Sequence, residues 1–136
     1  MNGLRILPVA LVLLSLVGAA PALADDPIAV PAPVPSPTPG EEGAAQLIRG
    51  DVAKAVAAYT LALKDTGLPN DRRAAILNDR AVGNVRLGET KAALDDYNRA
   101  IELFPEYPVA YNNRGNLLLA LGQLGEAIKD FDRALA

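Results

Sequence analysis

Hydrophobic positions fall into three regimes along the chain. From Val9 to Ala20 the run is apolar, with Ser15 its only polar side chain. From Pro31 to Pro39 every second residue is proline, which removes backbone donors and fixes φ, so neither helix nor sheet is expected there. Beyond Glu41 the apolar residues take up helical spacing. Ala93, Tyr97, Ala100 and Ile101 lie three and four apart on one face, as do Ala127, Phe131, Ala134 and Leu135. The pattern predicts helices over about 41–49, 52–66, 71–87, 90–103, 108–121 and 124–135. Gly88 and Gly122 should close helices as left-handed residues. Pro105 should end one helix, and Pro108 should occupy the first turn of the next.

The helical region repeats itself. Gly88 and Gly122 are 34 apart, and the same offset relates Ala93 to Ala127, Tyr97 to Phe131, Ala100 to Ala134, Asn78 to Asn112, Arg80 to Arg114 and Leu87 to Leu121. An earlier copy appears at an offset of 38 in Gly50, Ala55, Tyr59 and Ala62, with extra residues around Gly67, Leu68, Pro69 and Asn70. Such a period marks stacked units that each contact only their neighbours.

This period resembles that of the tetratricopeptide repeat, a helix-turn-helix unit. In the third copy Tyr111, Gly115 and Leu118 stand at the large, small and large positions of the first helix, with Ala127, Phe131 and Ala134 on the second. The second copy keeps Leu77, Ala81, Ala93, Tyr97, Ala100 and Pro105 but has Asn84 where the family usually has an aromatic, a departure expected to weaken its first helix. The resemblance covers 41–136, as copies over about 41–73, 74–107 and 108–136. It implies an all-α fold, a short right-handed superhelix.

Two segments precede the repeats. Arg5, the apolar run, and Ala22 and Ala24 before Asp25 and Asp26 follow the order of a cleavable signal peptide over 1–24. The expected destination is the periplasm of a bacterium, or secretion, without stable membrane insertion after cleavage. The alternative is an uncleaved inner-membrane anchor. Residues 25–40 read as a disordered, proline-rich linker. The stretch Pro27 to Pro39 should be polyproline II, reaching about 3.1 Å per residue or roughly 40 Å, most simply as a spacer.

Composition narrows the function classes. With 13 basic and 16 acidic residues the net charge is −3, and removing Arg5 with the signal leaves −4. That balance gives no basic footprint for nucleic acid. The chain has no Cys and no His, which excludes a disulfide, a thiolate nucleophile and an ordinary zinc site. The one serine after residue 24 is Ser36, with no base to activate it. The expectation is a non-enzymatic interaction module with no cofactor and no metal.

In the repeat family the first helix of each pair lines a concave groove. The resemblance therefore places Asn78, Val82, Val85 and Arg86 of the second copy in that groove, with Asn112, Asn113, Asn116 and Leu119 of the third. Asn112 and Asn116 share a face, and their amides can donate to and accept from an extended peptide backbone. The other reading of Asn78-Asp79-Arg80 and Asn112-Asn113-Arg114 is packing between repeats. The family's carboxylate-gripping groove needs lysines on the first helix, and Asn78 and Asn112 stand there instead, so that specificity is not carried over. The charges of Arg72, Arg73, Arg80, Arg86, Asp95, Asp96, Asp130 and Asp132 read as solvated faces.

The leading expectation is an exported module that binds a protein or peptide segment in a scaffolding or assembly role. The alternative is a self-associating envelope protein whose repeats stack end to end. The chain stops on the second helix of the third copy, which leaves Leu124, Ile128 and Leu135 uncovered. A longer natural chain, a second copy forming a homo-oligomer through that helix, or a partner's helix would each account for them.

Overall fold

The computed structural model describes residues 35–136, so the expected signal peptide and most of the proline-rich segment lie outside the described residues. Among the described residues six helices follow one another: α1 (Pro39–Arg49), α2 (Val52–Ala62), α3 (Asn70–Arg86), α4 (Thr90–Leu103), α5 (Pro108–Ala120) and α6 (Leu124–Leu135). There is no strand among the described residues. Contacts are densest within the pairs α1/α2, α3/α4 and α5/α6, weaker from α2 to α3 and from α4 to α5, and thin along the row α1, α3, α5. Each pair therefore packs on the next, with the first helices side by side along one face.

α1 begins at Pro39, two residues earlier than expected. Proline is tolerated at the first helical position, where its missing N–H has no partner to lose. Thr38 holds the start: its Oγ1 accepts from the Glu41 N–H at 3.3 Å, while its own N–H donates to Glu41 Oε2 at 2.8 Å. α2 ends at Ala62 rather than near 66. Arg73 takes the released carbonyls, donating to Leu63 O at 3.1 Å and Asp65 O at 2.6 Å, and Asp65 Oδ1 accepts from the Gly67 N–H at 2.8 Å. Arg73 thus closes a helix instead of forming part of a solvated face.

Gly50, Gly88 and Gly122 all take left-handed φ, at 87°, 79° and 76°, and close the first helix of each pair. Pro108 opens α5, and Pro105 follows the end of α4. The core is built from small residues against aromatics. Ala55, Ala74, Ala81, Ala93, Ala100, Ala110 and Ala127 are buried along with Tyr59, Tyr97, Tyr111 and Leu118, while Phe131 and Ala134 are half-buried at the end of the array. A Cβ added at Gly43 would fall 2.6 Å from Tyr59 Cε1, and one at Gly115 would fall 2.8 Å from Phe131 Cε1. Glycine at these positions lets the partner helix press an aromatic ring onto bare backbone.

Two ion pairs repeat the same geometry. Arg80 donates through Nε and Nη2 to the two carboxylate oxygens of Asp96 at 2.8 and 2.6 Å, and Arg114 does the same to Asp130 at 2.7 Å for both bonds. Each arginine also reaches back to the preceding pair, Arg80 Nη1 to Thr60 Oγ1 at 3.2 Å and Arg114 Nη1 to Asn98 Oδ1 at 2.7 Å. A planar guanidinium offers several donors in one fork, which lets one side chain join three helices. Asp96 and Asp130 are buried, so they are packing elements rather than parts of a solvated face. Asn84 is buried too and donates to Asp96 Oδ2 at 3.2 Å. With Asn84 in place of an aromatic, α3 still runs for 17 residues, the longest of the described helices: the site is polar, and the amide completes it.

Candidate functional site

The row α1, α3, α5 frames two successive concavities. The first, about 510 Å³, lies between α1 and α3, with α2 and the segment after it forming its floor. Ala44, Tyr59, Ala62, Leu68, Ala75 and Ile76 give it a mainly apolar wall. The second, about 280 Å³, lies between α3 and α5 and is lined by Val82, Val85, Arg86, Asn113, Asn116, Leu117 and Ala120, with Tyr97 beneath.

Five of the eight residues expected in a groove, Val82, Val85, Arg86, Asn113 and Asn116, line this second concavity together. Asn78 does not. It is only 3% exposed, because its amide fills the gap between α3 and α5: Oδ1 accepts from Asn113 Nδ2 at 2.9 Å, and Nδ2 donates to Asp79 Oδ1 at 3.2 Å. Its reading as a groove residue gives way to the packing reading. Asn112 and Leu119 are exposed on α5 without lining either concavity. Asn113 does both jobs, holding Asn78 while facing the concavity.

The residues expected in a groove do not include the lining of the first concavity, which belongs to the first copy and the start of the second. One sequence signal was available. Glu41, Asp79 and Asn113 occupy one register across the three copies, at the offsets of 38 and 34 already seen. Glu41 and Asp79 both line the first concavity. Glu41 is committed to Thr38, whose hydrogen bonds hold its carboxyl below the usual range, helped by the charge of Arg72. Asp79 is half-buried, and burial raises its carboxyl above the usual range despite the bond from Asn78. Its charge in turn helps raise the phenols of Tyr59, Tyr97 and Tyr107, in each case behind the larger effect of burial, and Tyr97 reaches about 12.

The two concavities offer apolar walls, amides and one half-buried carboxylate. The family model described as TPR repeat matches residues 85–122, which run from the end of α3 through α4 and α5 to Gly122. The first TPR of Spaghetti (RPAP3), solved bound to the HSP90 peptide SRMEEVD, superposes with a TM-score of 0.65 at 31% identity, covering 71% of this chain and 74% of that one. The chain belongs to the tetratricopeptide repeat family. A second tetratricopeptide structure, the TPR2B domain of yeast Sti1 in complex with pHsp70, gives a TM-score of 0.62 at 30% identity, over 68% of this chain and 71% of that one. Among curated relatives, DnaJ homolog subfamily C member 3 of Rattus norvegicus is 45% identical over 56 residues, 41% of this chain. That match spans 11% of the relative's own length, so the likeness is to a repeat segment of a much longer protein.

Proposed function

We propose that this chain is a tetratricopeptide interaction module, not an enzyme, which holds an extended protein or peptide segment along the α1, α3, α5 face in a scaffolding or assembly role. The observation that carries this reading is the pair of concavities on one row of helices, the second lined by Val82, Val85, Arg86, Asn113 and Asn116. Similar domains solved with an HSP90 peptide and with pHsp70 support it. Apolar walls would take side chains while the amides fix the register of a backbone.

We place this activity outside the cytoplasm, in the periplasm or secreted, with residues 1–24 as the signal and the following prolines as a spacer. The order Arg5, apolar run, Ala22 and Ala24 motivates that part. N-terminal sequencing of the mature protein from a bacterial host should begin at Asp25, whereas an intact Met1 in the membrane fraction would mean an anchor. For the binding role the test is affinity capture from periplasmic extract on the immobilised chain. Val82→Arg with Asn116→Arg should abolish retention of any specific partner, and retention unchanged by that blockade would contradict the reading.

One observation favours self-stacking as a second reading. α6 exposes Leu124, Ile128 and Leu135 at 58%, 59% and 87%, an apolar strip that a second copy could cover. Sedimentation of a concentration series distinguishes the readings. Self-stacking requires dimers at micromolar concentration that vanish with Ile128→Glu and Leu135→Glu, while a monomer at high micromolar concentration excludes it.

A further inference from the structure

The buried and half-buried acids of this domain are not all alike. Asp96 and Asp130 each receive a two-bond arginine fork. Asp79 receives none: among the described residues no Lys or Arg nitrogen lies within 4.0 Å of it, and its one side-chain hydrogen bond comes from the uncharged Asn78. Arg72, the basic residue on the same cavity wall, lowers the Glu41 carboxyl and makes no ion pair with Asp79. The carboxylate therefore lines a mainly apolar concavity of about 510 Å³ without a counter-ion. Removing an ionised carboxylate from water without a cation is costly, and burial has raised this one accordingly.

The rest of the wall has the same sign. Glu41 and Asp65 join Asp79 there against Arg72 alone, so the first concavity is net acidic, while the second carries Arg86 among uncharged amides. A lysine or arginine side chain fits such a place well. Its methylene stem can lie against Ala44, Ala75 and Ile76 while its charge meets Asp79. An acidic segment would meet repulsion instead. The HSP90 peptide SRMEEVD of the similar domain, with three acidic residues among its last four, would suit this cavity poorly.

We propose that the α1/α3 concavity is a specificity pocket for a basic side chain of an extended peptide, with Asp79 as its counter-ion. The proposal rests on the peptide-binding reading above and adds the chemistry of the ligand. It also predicts a divided effect of one substitution. Asp79→Asn keeps the shape and an acceptor for Asn78 but removes the uncompensated charge, so it should stabilise the free protein while weakening the complex.

The test uses the full chain and an array of end-capped heptapeptides, led by GALKLAG and its counterpart GALELAG. Wild type should retain GALKLAG and other peptides with a central lysine or arginine at least tenfold better than the glutamate counterparts. Asp79→Asn should erase that preference and raise the melting temperature. Peptides retained without any basic preference would overturn the pocket while leaving the module reading intact. If no peptide is retained, both readings fail. A melting temperature lowered by Asp79→Asn would show that the carboxylate serves the fold, and would also overturn the pocket.

Discussion

Asn113 donates through Nδ2 to Oδ1 of Asn78 at 2.9 Å, joining the first helix of the third repeat to the first helix of the second. The bond lies beneath the concave face and sets which amides remain for a ligand. Asn78 is spent on packing, while Asn112 and Asn116 are exposed on α5.

These two groups of asparagines should respond differently to truncation. Asn78→Ala leaves the Asn113 amide without its acceptor and should cost about 1–3 kcal/mol in urea unfolding. Asn112→Ala with Asn116→Ala should change stability by less than about 1 kcal/mol, the range of exposed sites, while weakening ligand retention through Asn116, the one of the two that lines a concavity. Equal destabilisation by both changes would contradict the division.

The arginine forks predict a sharp contrast between adjacent acids. Asp96→Ala strands the Arg80 fork and the Asn84 amide, and should cost about 3 kcal/mol, the scale of a broken, mostly buried pair. Asp95→Ala removes only a bond to Lys91, whose side chain is 90% exposed, and should cost less than about 1 kcal/mol. Chemical denaturation of the two variants checks the difference.

Gly43→Ala and Gly115→Ala both drive a methyl into a ring, yet the first should be worse. Tyr59 is 1% exposed, whereas Phe131 is half-buried and has more room to shift. We expect roughly 1–3 kcal/mol of destabilisation at Gly43 and the lower end of that range at Gly115, read from thermal melts.

The stability effect of Asp79 should depend on pH in a fixed direction. Its folded carboxyl is raised above the ordinary 3.8, so ionisation disfavours the fold: stability is fully present below 3.8 and is lost as pH rises through the folded value. Glu41, Asp65 and Arg72 on the same wall are present in both proteins, and the phenols of Tyr59, Tyr97 and Tyr107, which lose the charge of Asp79 in the variant, stay neutral throughout this acid window. The excess stability of the variant over wild type should be greatest at neutral pH, shrink as pH falls through the folded value and be gone below 3.8. A gap that widens on acidification would contradict the burial of the charge.

Most of the architecture was legible because it is written in local rules. Alanine and aromatic spacing placed α3 to α6, and Gly88 and Gly122 sit where a left-handed residue closes a helix. Misplaced ends came from side-chain hydrogen bonds to the backbone: Arg73 takes the carbonyls of Leu63 and Asp65 just past α2, and the local Thr38–Glu41 capping box allows a helix to start on a proline. Charges were harder to read. Asp95 and Asp96 are neighbours in sequence, yet one points to water and the other meets an arginine 16 residues away. Asn78 passed for a groove residue because register fixes which helix a side chain is on, while burial depends on the neighbouring pair.

The central claim is that the α1, α3, α5 face holds an extended peptide, and an amide chemical-shift titration tests it most directly. Isotope-labelled protein would be titrated with the capped heptapeptide that ranks first on the array. The account predicts perturbations concentrated at Ala75, Asp79, Val82, Asn113 and Asn116, with little change on the exposed faces of α4 and α6. Shifts centred on Lys91, Asp95, Ile128 or Leu135, with the concave residues unmoved, would contradict it.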